Sequence, residues 1–439
     1  MSEDNASGIT PPSAGPLWGI GARLSIMMAL QYGIMGSWWV LISRYLLGTL
    51  KYSPTQAACI GSVVAVASLF APFIARWVDT RARAERFLAG CHLLGGLLVY
   101  SYVHIRCYWL FLIVSFFYAM CFVPTLSLTN TIAMRHFPAD KFAWVRMWGV
   151  VGWIGVAWMV KLCMSVPRIH VPYLFNDLPD GLGLAVMFQL CALFSWGLGL
   201  YAFFLPSTPP VETDEPKEYH PLEAFKLLRN PRMANTMIVA FILTTGMSLY
   251  FFSTGPFLSH LGVADSAIAT RMSVAQWAEL FIAALLPLSI MRFGYRFSIA
   301  LGILAWATRY FIFAATDNLT IITAAIALHG VCYAFYFMAS YQYVDLIADP
   351  DKRVNAQTLF NVVVIGVGSV FGKQLGGLLF NLFIKTEAVK AGEAQPRFDC
   401  VFLIAGVLCM IGLVYFLITF SPPPSKEKES TQSNGNATT

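Results

Sequence analysis

A carboxylate or guanidinium inside an apolar run costs from about 2.5 kcal/mol upward, so those few that occur in this chain mark its chemistry. Glu279 is the acidic residue nearest the middle of such a run, in MSVAQWAELFIAALLPLSI, and Gln276 precedes it by three residues. On a helix both project from one face, a polar stripe suited to a water-filled cavity. A carboxyl group there is a proton carrier, because desolvation and a nearby cation pull its proton affinity in opposite directions. The competing reading is a permanent salt bridge between helices. Arg146, in FAWVRMWGVVGWIGVAW, has Val150 and Trp153 at i+4 and i+7 on the same stripe. Its fork suits a carbonyl, hydroxyl or carboxylate, and the indole offers a stacking surface for a planar ligand. Alternatively it is an interfacial arginine satisfied by lipid phosphate, with Trp153 as packing. Lys373, in GVGSVFGKQLGGLLF, projects into a cavity, pairs with Glu279, or is a neutral buried amine. Arg309 and Asp345 stand nearer the ends of their runs, where they are expected to snorkel.

These residues need elements to hold them, and composition says which. The chain has 439 residues, 57% hydrophobic and 12% charged, with mean hydropathy +0.64; a soluble domain carries about 25% charged residues. At about 20 residues per crossing there is apolar sequence for roughly a dozen transmembrane helices. The runs are too long for the alternating strands of a barrel. Twelve are expected, among them 22–43, 87–105, 268–291, 297–316, 318–346, 355–383 and 399–420. The expected class is an all-α membrane protein divided six plus six: an N-terminal tail at 1–21, a first bundle at 22–205, a linker at 206–232, a second bundle at 233–420 and a polar tail at 421–439. Within the linker, LEAFKLLRN reads as a short amphipathic helix on the membrane surface. Lysine and arginine favour one set of connections by roughly two to one, which places both termini in the cytoplasm.

The net charge of +6 is distributed over these connections rather than along a stripe, which excludes nucleic acid as a partner. Nine cysteines, an odd number without CxxC or metal spacing, read as small buried hydrophobes. A P-loop is absent, as are a Ser/His/Asp set and paired carboxylates, so neither an enzyme nor a metal or other cofactor is expected.

After the second run stands ARWVDTRARAER, similar to the loop motif of the major facilitator superfamily, with Ala75 at the small position and Asp79, Arg81 and Arg83 following. An aspartate at a helix end pairing with arginine would latch the two-helix hairpin in one state of a transport cycle; MRFGYRF, after the eighth run, is a reduced copy. LQYGIMGSWW, VPTLSLTNTIAMR, VRMWGVVGW, QWAE, LAWATRYFIFA and RVNAQTLFN, in order over nearly the whole chain, resemble the nucleoside:proton symporter family of that superfamily. The resemblance implies two six-helix bundles around a cavity that opens alternately to either side, with Arg146, Trp153, Gln276 and Glu279 around the nucleoside. It also aligns Ser248, Phe251, His329 and Tyr333 with ligand-facing positions. The chain departs from the pattern at Val150 for Thr, at Ser248 and Phe251 for Gln and Asn, at His329 for Tyr, and at Ala334 for an acid. The implied activity is proton-coupled nucleoside uptake across the inner membrane by a monomer, with Glu279, His329 and Lys373 as candidate proton-coupling groups. A symporter or facilitator of another polar solute, such as a sugar or carboxylate, and a non-transporting sensor are the alternatives.

Overall fold

The computed structural model describes residues 17–138, 141–165, 183–210, 223–349, 352–385, 389 and 392–422. The linker's acidic run and the distal tails lie outside them. Among the described residues there is no strand. In chain order the helices are α1 (Leu17–Trp38), α2 (Pro54–Arg81), α3 (Ala84–Ser101), α4 (Tyr108–His136), α5 (Phe142–Ser165) and α6 (Val186–Tyr201). Then follow α7 (Pro231–His260), α8 (Asp265–Met272 continued by Val274–Ile282), α9 (Leu286–Ala315), α10 (Leu319–Ile347), α11 (Asn355–Phe383) and α12 (Phe398–Thr419).

Helix starts follow local chemistry. Ser53 and Gln56 form a reciprocal capping box ahead of Pro54, and Asn230 caps α7 ahead of Pro231. Ten helices among the described residues are long and apolar enough to cross a membrane. One of these runs continuously over Asp265–Ala315, 51 residues. At 1.5 Å per residue that is about 77 Å, more than twice a hydrocarbon core of about 30 Å. It folds back at Gly294, whose φ of +78° is open to glycine and strained for other residues. Residues 265–293 and 295–315 are therefore separate passes. The short α3 falls outside the ten because Glu85 and Arg86 in its first turn dilute an 18-residue segment. Counting both, each of the twelve expected runs has its helix.

In the first half α1 packs on α5 and α6, α2 on α4, and α3 on α4 and α6; in the second, α9 packs on α12 and α10, and α7 on α11 and α12. The halves meet where α2 touches α11, α5 touches α8, and the continuation of α1 at Ile42–Arg44 touches α7. Polar bonds between the halves gather at one end. Arg44 Nε donates to Asp265 Oδ1 (2.9 Å), Asn381 Nδ2 to Thr55 Oγ1 (3.0 Å), Gln374 Nε2 to Ser62 Oγ (3.1 Å), Lys385 Nζ to the Leu47 carbonyl (3.1 Å) and Lys373 Nζ to the Gly61 carbonyl (2.5 Å). At this end Tyr52 bonds the Arg106 carbonyl at 2.9 Å; burial pushes its hydroxyl up to about 12, so it keeps its proton and donates throughout the physiological range.

At the opposite end, among the described residues, side-chain hydrogen bonds stay within each half. Asp79 pairs there with Arg135 at the end of α4 (3.0 Å), not with Arg81 or Arg83, which are exposed. The hairpin latch expected of Arg81 and Arg83 is thus a clasp between α2 and α4, since an arginine across the bundle reaches the carboxylate more directly than residues turning away along the loop. Arg135 also donates to the Pro209 carbonyl, and the buried Glu85 accepts from the Thr208 amide at 2.8 Å, so the start of the linker is tied to the first half. The expected linker helix is one α turn at Glu223–Lys226 and one 3-10 turn at Leu227–Arg229, docked beside the start of α11. In the reduced loop copy, Arg296 donates to the Leu417 carbonyl and so caps α12.

Candidate functional site

The site begins at the α1/α5 seam. Glycines there let two backbones meet: a Cβ on Gly152 would run into the Ala29 carbonyl, and one on Gly149 would meet Tyr32 Cδ2 at 2.6 Å. This close approach sets the Tyr32 ring under the Arg146 guanidinium, 3.9 Å from carbon to ring centroid. Trp153, expected as the stacking surface, is buried with its ring against Gly36 and serves as a buttress for α1. The aromatic that faces Arg146 is Tyr32.

From the second half, α8 brings Gln276 and Glu279, both half-buried, with Trp277 exposed. Gly330 seats α8 on α10, since a Cβ on it would meet the Ala278 carbonyl carbon at 2.6 Å and the Glu279 nitrogen at 2.8 Å. Arg146 stands on α5, the helix of the first half that touches α8. Among the described residues no ion pair joins Arg146 to Glu279, so Glu279 is not locked in the salt bridge that the competing reading required. Tyr333 lies in the field of Glu279, Arg146, Tyr341 and Tyr32 together. Four helices, α1, α5, α8 and α10, two from each half, thus converge on one polar centre.

α10 reaches that centre through a change of pitch. After Leu328 it continues as a short helical turn, His329–Val331, and then a π-helical stretch, Cys332–Met338; widened turns of this kind are frequent at functional sites. His329 is buried and stacks on Tyr333 (centroids 6.0 Å), with Phe251 6.3 Å away. Phe251 is half-buried and also meets Trp39 across the halves at 6.2 Å.

Residues 18–425 match the family described as nucleoside H+ symporter. The chain belongs to that family. It is 29% identical to the candidate nucleoside transporter YegT of Escherichia coli K12, over 91% of this chain and 93% of YegT. It is 27% identical to the xanthosine permease of the same organism, over 93% and 98% of the respective chains. A solved variant of the nucleoside transporter NupG superposes with TM-score 0.81 at 21% identity, covering 92% of this chain and all of that one. A bacterial homologue of the lysosomal transporter Spinster, solved inward-facing and occupied, gives 0.76 at 15% identity over 93% and 97%. The fold is that of the major facilitator transporters.

Within this symporter-family chain, three further sequence expectations are revised. Ser248 lies in the α7/α11 seam, where Gly372 comes so near that a Cβ would meet the Ser248 Cβ at 2.7 Å, so it faces a helix and not the centre. Lys373 does not pair with Glu279; of its three alternatives it lines a cavity with Trp39 and Phe251, its ammonium bonded to the Gly61 carbonyl and 5.5 Å over the Trp39 ring. Arg309, expected to snorkel, is fully buried among the faces of Tyr250 (3.9 Å), Trp306 (4.2 Å) and Tyr310 (5.2 Å), and its Nη1 meets His329 Nδ1 at 3.2 Å. An aromatic cage stands in for the lipid interface. His92 bonds Gln31, which donates to Thr125, tying α3, α1 and α4. Sequence reading passed over Tyr32 and Tyr341; only the glycine pairs of α1 and α5 hinted at the former.

Proposed function

We propose that the chain imports nucleosides together with protons by alternating access, with Arg146, Gln276, Glu279, Tyr32 and Tyr333 forming the binding centre. The observation that carries this reading is that Arg146 on α5 and Glu279 on α8 come from opposite halves, on helices that touch, with no ion pair between them among the described residues. A guanidinium and a carboxyl that are not spent on each other can take a polar solute and a proton. Family membership and the names of the relatives, a xanthosine permease and nucleoside permeases, support the solute class.

In this reading Glu279 takes a proton from outside, and the nucleoside lies between the Arg146/Tyr32 stack and the α8/α10 pair. The units 22–205 and 233–420 then rock about the centre and release both ligands to the cytoplasm. The distribution of basic residues supports cytoplasmic termini, which makes the end closed by Arg44 and Asp265 the outer one and this conformation inward-open. Lys373 belongs to that outer closure rather than to proton transfer. Phe251 and Ala334 supply no hydrogen bond to a base, an observation that favours a second reading, symport of another polar solute such as a sugar or carboxylate.

Purified protein in liposomes separates the readings. Uridine and adenosine are expected to accumulate when the lumen is made alkaline, and Glu279→Gln is expected to abolish accumulation while counterflow continues. Absence of nucleoside uptake or competition, with uptake of a sugar or carboxylate, overturns the nucleoside assignment. Accumulation unaffected by Glu279→Gln overturns the proton role.

A further inference from the structure

Arg309 is placed where a positive charge has no obvious use. It is completely buried in the second half, its charge faces three aromatic rings, and its Nε and Nη2 have no hydrogen-bond partner among the described residues. Its Nη1 has one, His329 Nδ1 at 3.2 Å. An arginine donates and never accepts, so this contact is a hydrogen bond only if Nδ1 carries no proton. A histidine protonated at Nδ1 would set N–H against N–H beside the buried guanidinium, the costlier arrangement. The neighbouring Ala334 offers no carboxylate to compensate.

The other ring nitrogen, Nε2, must then carry the hydrogen. It has no protein partner among the described residues. The ring stacks on Tyr333, which shares the field of Glu279 and Arg146. The Nε2–H lies in the ring plane, which the Tyr333 stack leaves uncovered.

We propose that Arg309 is a positioning residue that fixes His329 as an Nε2–H donor toward the solute, so that the site selects a ring edge bearing a carbonyl oxygen over one bearing an amino group. The selectivity half of this proposal rests on the nucleoside reading above; the tautomer half does not. Uridine and cytidine, and likewise inosine and adenosine, differ at one ring position by such an exchange, oxygen acceptor for amino donor. A donor fixed in place pairs with the first of each and opposes the second.

Two measurements test it on the full chain in lipid. In 15N-histidine-labelled protein, with the His329 signals assigned by their loss in His329→Asn, Nε2 is expected to be protonated and Nδ1 bare from about pH 6 to 8. Arg309→Met, which fills the space without a donor, is expected to mix the tautomers, and Arg309→Lys to restore the single form. A wild-type ring protonated at Nδ1, alone or together with Nε2, overturns the proposal whatever the solute. In competition binding, uridine over cytidine and inosine over adenosine are expected at about tenfold or more in wild type and Arg309→Lys, falling to within about threefold in Arg309→Met. Equal affinities in wild type with the expected tautomer overturn the selectivity half; no nucleoside binding at all overturns the transport reading and leaves the tautomer to stand on its spectrum.

Discussion

Arg146 and Tyr32 act as one unit, a flat cation over a flat ring, and substitutions at either should be read together. Arg146→Lys keeps the charge but loses the planar fork, and is expected to weaken solute binding by about tenfold, read by competition against a labelled nucleoside. Tyr32→Leu removes the ring face and should weaken it by about twofold to thirtyfold, the range that corresponds to about 0.5–2 kcal/mol of cation–π energy, whereas Tyr32→Phe should lose much less. Glu279, Gln276 and Arg146 were legible in the sequence because a charge in an apolar run is conspicuous and a three-residue spacing fixes a helix face. Tyr32 was not, since one more aromatic in a chain 15% aromatic carries no signal of its own. Arg309 misled for the opposite reason. Its nearness to the end of the run suggested an escape to the interface, and nothing in linear order shows that Tyr250, far upstream on α7, helps to enclose it.

Helices in this molecule are spaced by glycine where function needs proximity. Gly330→Val would force a branched side chain into the backbone of Ala278 and Glu279, an overpacking that costs typically 1–3 kcal/mol. The expected result is a lower unfolding temperature in detergent and a loss of proton-driven uptake greater than that of an equally destabilised variant at the lipid-facing Leu288, because the strain falls on the carboxyl's own helix. Hydropathy located the passes and capping chemistry their starts, as Ser53-Pro54 and Asn230-Pro231 illustrate. It was blind to pitch. The π-helical stretches at Cys332–Met338 and Val362–Val367 arise from packing between helices, which one-dimensional periodicity does not record. The turn at Gly294 was legible as a loop, although the helical hydrogen bonding carried almost through it was not.

Taken whole, the molecule gathers its side-chain bonds between the halves at one end, and a motion that parts the halves there must break them. Asp265→Asn removes an ion pair whose members are about a quarter to a third exposed, so it should favour the opposite conformation by only about twofold to fivefold, measured as labelling of a cysteine placed in the centre and approached from that side. Joining Thr55 and Asn381 by a crosslink between introduced cysteines, in a background free of the nine native ones, should stop uptake while binding from the open side persists. The Lys373 ammonium gives a further property to this closure. When the halves part it surrenders the Gly61 carbonyl, its hydrogen-bond acceptor across the interface, and must be hydrated at once, together with Arg44 and Asp265. In the proposed orientation, resetting the empty carrier takes up water from the external face, so an excluded polyethylene glycol on that side is expected to slow turnover at unchanged solute and proton gradients.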